Sequence, residues 1–151
     1  MQRIKVIIPA YNEQDSIGFV VKDIPQIVDE IIVVNNNSTD NTAAVARAAG
    51  ATVLNEKRGG YGYACLKGID YINRLETKPD IVVFLDGDYS DYPEELLQIV
   101  APIQNETAAF VVGARVKELR APASMTPQQV FGNWLACFLM KIFYQSKFND
   151  L

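Results

Sequence analysis

The chain repeats one pattern from end to end: a short, almost wholly apolar and β-prone run, then a helix-compatible stretch. The runs lie at 4–9, 30–34, 52–54, 81–85 and 109–113. The stretches between them, 15–24, 43–49, the residues after 59–62 through Arg74, and 93–103, carry apolar residues at helical spacing. Ser38-Thr39-Asp40-Asn41-Thr42 supplies capping chemistry before the second helix, and Gly50 is a natural stop after it. Strands that are apolar on both faces and alternate with helices build a mostly parallel α/β sheet covered on both sides. In such sheets ligands gather at the carboxyl ends of the strands. Four polar clusters fall there: 9–13, 35–40, 56–60 and 86–88.

The last of these is the most informative. Ile81-Val82-Val83-Phe84-Leu85 empties into Asp86-Gly87-Asp88. Residues i and i+2 of an extended segment project to the same side, so the two carboxylates can converge. Converging carboxylates repel unless a cation lies between them, and hard ions such as Mg²⁺ or Mn²⁺ take oxygen ligands while keeping positions for water and phosphate. Gly87 is expected to leave room for the ligand. The alternative is a polar turn in which Asp91 caps the helix opened by Pro93-Glu94-Glu95.

Composition narrows the chemistry. Of 151 residues, 49% are hydrophobic and 21% charged, which suits a folded domain and not a disordered chain. Residues 1–113 carry 9 basic and 16 acidic side chains and residues 114–151 carry 5 and 2, so the main body repels nucleic acid. There is no histidine, which removes imidazole ligands and Ser-His or Cys-His pairs and leaves proton transfer to carboxylates or to the substrate. Cys65 and Cys137 stand far apart in apolar surroundings and read as free thiols in a reducing compartment, the cytoplasm. No signal peptide is read at the start. Gly60-x-Gly62-x-x-Cys65 lacks a third glycine and follows the third strand, so it is not a dinucleotide fingerprint.

Four segments in order, Val6-Ile7-Ile8-Pro9-Ala10-Tyr11-Asn12-Glu13, Val33 through Thr42 with its Asn35-Asn36-Asn37-Ser38-Thr39-Asp40 core, Gly60-Tyr61-Gly62, and Phe84-Leu85-Asp86-Gly87-Asp88, resemble glycosyltransferase family 2. The likeness is to the dolichyl- or polyprenyl-phosphate sugar transferase branch, of the GT-A (Rossmann-like) fold. It implies a metal-dependent inverting transferase that moves a sugar from a UDP- or GDP-linked donor to a lipid phosphate. Pro9, Tyr11, Asn12 and Glu13 would then form the floor for base and ribose, with the Tyr11 ring as a stacking face and Glu13 accepting from a ribose hydroxyl. Asn36, Lys57, Gly60 and Asp86 would complete the nucleotide site. Asp88 would be the main metal ligand, with Asp86 assisting. Where the family has one or two acids this chain has Asn35 and Asn36, which can equally be turn residues. Asp40 reads as a helix-terminus residue.

Arg115 matches a family arginine near the sugar phosphate or acceptor, and Asp150 opens a motif whose aspartate serves as catalytic base. The sequence stops within that motif, so 1–114 is expected to be the donor-binding core and 115–151 an incomplete acceptor-side segment. Residues 130–144 are apolar around most of a helical circumference yet too short and interrupted to span a bilayer, which suits a peripheral contact at the inner face of the membrane or a homo-oligomer contact. Three rivals stay open: a non-catalytic nucleotide-sugar-binding fragment, a transferase with a saccharide hydroxyl acceptor, and an Asp-x-Asp phosphohydrolase. The last would place its acids after the first strand instead of the fourth.

Overall fold

The computed structural model describes residues 2–113 and 127–144. The chain divides into two compact units, Met1–Val111 and Val112–Leu151. The first unit runs β1 (Ile4–Ala10), α1 (Ile17–Asp23), β2 (Glu30–Asn35), α2 (Thr42–Ala48), β3 (Thr52–Asn55), α3 (Tyr61–Arg74), β4 (Ile81–Phe84), a 3₁₀ turn (Pro93–Glu95) and α4 (Leu96–Gln104). The strands form one sheet in the order β3-β2-β1-β4, with every pairing parallel. This is the expected α/β architecture. A parallel neighbour needs a crossover, and α1, α2 and α3 supply it.

Alternation along β1 decides which helix covers which face. Val6, Ile8 and Ala10 pack with Ile17, Val20 and Val21 of α1, Ala46 of α2, and Leu96 and Val100 of α4. Ile7 points the other way and packs with Ile32, Val34, and Ala64 and Ile72 of α3. Each fully buried isoleucine in these two layers contributes roughly 1.5–3 kcal/mol through removal from water. Gly68 lets α3 lie close to the sheet, since a Cβ there would stand 2.6 Å from Ile7 Cγ2.

Residues 109–113 correct the sequence reading. They form no strand; β4 pairs only with β1 among the described residues, and Phe110 is 81% exposed. β propensity is realised only when a ladder is present, and no described strand pairs with this segment. Two smaller differences concern helices. The glycine loop ends at Gly60, so Tyr61 and Gly62 belong to α3, and the stretch opened by Pro93 starts as a 3₁₀ turn.

The second unit is described through α5 (Pro127–Tyr144). Trp134 and Phe138 stack with ring centroids 5.5 Å apart, and Leu135, Leu139 and Ile142 are also exposed. No described helix is long and apolar enough to cross a membrane. Arg115 and Asp150 lie outside the described residues.

Candidate active site

The parallel register aligns the strand ends. Ala10 pairs with Asn35 and Asn35 with Asn55, while Ile7 pairs with Phe84. The loops that follow therefore emerge on one rim. There they enclose an open hollow of about 260 Å³, floored by Pro9 and Ala10 at the end of β1, by Tyr11 and Glu13 just after it, and by Asn36 after β2. Tyr61 and Ala64 of α3 and the Asp86-Gly87-Asp88 turn complete it. Three of the four polar strand ends thus line one hollow directly, and the fourth, 56–60, is tied to it through Asn36.

Hydrogen bonds from backbone and side chains fix the β1 loop. Asn12, in the left-handed region at φ 55°, accepts at Oδ1 from the Thr39 N–H (2.9 Å), and its own N–H donates to Ser38 Oγ (3.0 Å). The Glu13 N–H donates to Thr42 Oγ1 (2.8 Å). Asp40 accepts the Thr42 N–H (2.9 Å) at the start of α2, as expected of a helix-terminus residue. Asn12 is thus a bracket between loops, while Tyr11 stands exposed with its ring available.

Asn36 is buried, and its amide is committed at both ends. Nδ2 donates to the Arg58 carbonyl (2.7 Å) and Oδ1 accepts from the Gly60 N–H (2.8 Å). An amide both donates and accepts; a carboxylate would only accept. Asn36 therefore hangs the 56–60 loop from β2. Gly60, at φ 128°, occupies a backbone region that side chains avoid and leads straight into α3. Within the loop Arg58 bonds Glu56 (2.8 Å) and lies 4.5 Å over the Tyr63 ring. The Arg58 side-chain bonds hold the Glu56 carboxyl down at about 2. Lys57 is exposed and does not line the hollow.

At the acidic turn, Asp86 Oδ1 accepts from the Tyr61 hydroxyl (3.2 Å), and Asp88 Oδ1 accepts from the Ser90 N–H (2.9 Å). Burial first, and then the negative charge of Asp86, pushes the Tyr61 phenol up, so it stays a neutral donor. Burial likewise raises the Cys65 thiol. Among the described residues no three acids or thiols cluster as ligands. Two carboxylates facing one open hollow nevertheless suit an ion that takes one or two protein oxygens and fills its shell with water and phosphate. The donor set therefore fits Mg²⁺ or Mn²⁺ held by Asp88 and Asp86.

Gly87 itself lines the hollow, and a Cβ there would stand in ordinary contact with the Pro9 carbonyl (3.4 Å), Ala10 Cβ (3.5 Å) and Ile17 Cδ1 (3.5 Å). Ser16 Oγ lies 2.8 Å from the Gly87 carbonyl and 2.9 Å from Glu13 Oε2, joining two parts of the rim. Sequence reasoning misses Ser16 and Tyr61. A helix-start serine three residues past Glu13 is ordinary capping chemistry, and Tyr61 reads as a loop residue by its glycine neighbours.

A model of glycosyl transferase family 2 matches residues 5–150. The chain is 28% identical over 149 residues to the UDP-N-acetylglucosamine–dolichyl-phosphate N-acetylglucosaminyltransferase of Methanococcus voltae, covering 86% of this chain and 59% of that one. It is 38% identical over 112 residues to an uncharacterized glycosyltransferase of Mycobacterium bovis, covering 74% and 48%. Among solved structures, glucosyl-3-phosphoglycerate synthase of Mycobacterium tuberculosis superposes with a TM-score of 0.58 in its complex with Mg²⁺ and UDP, at 33% identity over 68% of this chain and 39% of that one. Its complex with Mn²⁺, UDP-glucose and phosphoglyceric acid gives 0.59. The chain spans about half the length of the curated relatives it matches. Sheet order, rim and sequence agree on the GT-A fold, and the chain belongs to glycosyl transferase family 2.

Proposed function

We propose that the chain is the donor-binding part of an inverting, divalent-metal-dependent transferase that takes a sugar from a nucleotide diphosphate sugar. One observation carries this: Tyr11, Glu13, Asp86 and Asp88, from two different strand ends, face a single hollow on the carboxyl rim of the sheet. Tyr11 offers an exposed aromatic face for the base. Glu13, steadied by Ser16, accepts from a ribose hydroxyl. Asn36 and Gly60 hold the 56–60 loop, on which Lys57, outside the hollow itself, would offset diphosphate charge. Asp88 and Asp86 would hold Mg²⁺ or Mn²⁺, which when bound neutralises charge developing on the leaving diphosphate. Tyr61 keeps one oxygen of Asp86 turned toward α3 and leaves the other for the donor.

For the acceptor we infer a polyprenyl phosphate. The M. voltae relative acts on dolichyl phosphate, and α5 carries an exposed apolar stripe suited to a lipid surface. A phosphate monoester with its second pKa near about 6 is largely deprotonated at neutral pH and needs little help from a base. Arg115 then serves the phosphate side, and Asp150 matters most for a hydroxyl acceptor. The M. tuberculosis neighbour, solved with phosphoglyceric acid, favours as a second reading a small phosphorylated acid in place of the lipid.

Calorimetry with UDP and GDP, with and without Mn²⁺, tests the donor reading. Metal-strengthened binding of one nucleotide is expected; absence of nucleotide binding would overturn the transferase reading, and binding without transfer to either acceptor class would favour a donor-binding fragment. In Asp88→Ala the metal-dependent gain should vanish while metal-free binding persists.

A further inference from the structure

The turn that carries Asp88 is bent in a way its own residues do not favour. Tyr89 sits at φ 62°, in the left-handed region, where a bulky side chain is a genuine outlier. Such a conformation persists only where the surroundings hold it. Here the hold comes from α1. The Tyr89 hydroxyl donates to a carboxylate oxygen of Asp23, the last residue of that helix, and the Tyr89 ring meets Phe19 at a centroid distance of 6.0 Å, tilted by 52°. The Gly87 carbonyl is already tied to Ser16 at the other end of α1. The Asp88 turn is thus gripped at both sides by one helix, while Asp88 Oδ1 accepts from Ser90 within the turn.

We infer that Tyr89 and Asp23 form a strap that sets the position of Asp88 for its divalent ion, which makes Tyr89 a positioning residue of the donor site. The inference rests on the reading of Asp88 as metal ligand. If the strap is cut, the backbone at Tyr89 can relax out of the left-handed region and carry Asp88 with it. The nucleotide floor on β1, which the strap does not touch, should be unaffected. Tyr89 is about half exposed, so water competes for its hydroxyl and the effect is a matter of a few-fold, not total loss.

Three variants of the chain test this: Tyr89→Phe removes the hydroxyl and keeps the ring, Asp23→Ala removes the acceptor, and Asp23→Asn keeps an acceptor oxygen. Mn²⁺ is titrated calorimetrically into each in the presence of saturating UDP, and UDP affinity is measured without metal. The expected result is a rise of about three- to ten-fold in the half-saturating Mn²⁺ concentration for Tyr89→Phe and Asp23→Ala. Asp23→Asn should recover at least half of that loss on a logarithmic scale, and metal-free UDP affinity should stay within about two-fold in all three. An unchanged Mn²⁺ requirement in Tyr89→Phe overturns the strap. So does a parallel loss of metal-free UDP binding, which would mark general loosening, or a failure of Asp23→Asn to recover. Asp88→Ala separates the layers: if it keeps the full Mn²⁺ response, the ligand assignment beneath the strap fails; if it loses that response while Tyr89→Phe does not shift it, only the strap fails.

Discussion

Replacing Asn36 with alanine removes the two short bonds by which β2 carries the 56–60 loop, 2.7 Å to the Arg58 carbonyl and 2.8 Å from the Gly60 N–H. A third contact, 3.5 Å to the Glu56 carbonyl, is too long to count. The substitution leaves one backbone acceptor and one backbone donor without their partner, each costing about 1–3 kcal/mol if buried. The loop is partly open to solvent, so water recovers some of this, and each group falls near the bottom of the range, at about 1–1.5 kcal/mol. A total of about 2–3 kcal/mol follows. Against a typical domain stability of about 5–15 kcal/mol this is easily read from urea unfolding followed by circular dichroism. Hydrogen exchange gives a local readout, because the Gly60 amide should lose roughly 30- to 150-fold of its protection. Asn36→Asp keeps an acceptor for Gly60 but turns a second acceptor toward the Arg58 carbonyl, so it should cost at least half as much as alanine. A loss below about 0.5 kcal/mol in Asn36→Ala, with Gly60 exchange unchanged, would refute the reasoning and return Asn36 to the status of a turn residue.

Other expectations concern packing and pH. Gly68→Ala places a Cβ 2.6 Å from Ile7 Cγ2; overpacking of about 1–3 kcal/mol exceeds the helix-propensity gain of about 1 kcal/mol. A lowered melting temperature is expected, and a raised one would show that α3 shifts freely. The Arg58-bonded Glu56 carboxyl lies at about 2, below its ordinary value of 4.5. A depressed carboxylate stabilises the fold above its unfolded value, and that contribution fades as pH falls from about 4.5 to about 2. Glu56→Gln should flatten this limb in urea midpoints measured across it; an unchanged slope would remove Glu56 as its source. Glu30 adds to the same limb. Burial works to raise it, but bonds from Lys5, Tyr71 and Thr52 outweigh that and leave it lowered.

Much of the site is legible without coordinates. The polar strand ends need only the alternation of apolar runs and helices, because parallel pairing then sends every carboxyl end to one rim. Asp86 and Asp88 stand out because an apolar run empties straight into two acids one residue apart. What escapes is decided by groups distant in sequence. Residues 109–113 look like a strand, yet whether they pair depends on a neighbour that the segment itself cannot specify. Asn36 could be a base reader or a turn residue by type alone; only the position of Arg58 and Gly60, more than twenty residues on, shows its amide engaged. Tyr89 carries no local signal at all, since its strain and its partner on α1 are both tertiary facts.

The grip of Asn36 on the 56–60 loop has a consequence for how such a site can change over generations. Both bonds are made to main-chain atoms, a carbonyl and an amide, and neither depends on which side chains the loop displays. Gly60 is pinned by its backbone angle. Lys57 and Gly59 can be exchanged for other residues while the loop keeps its path. A lineage could retune the charge this loop displays at position 57 in single substitutions, at little cost to folding.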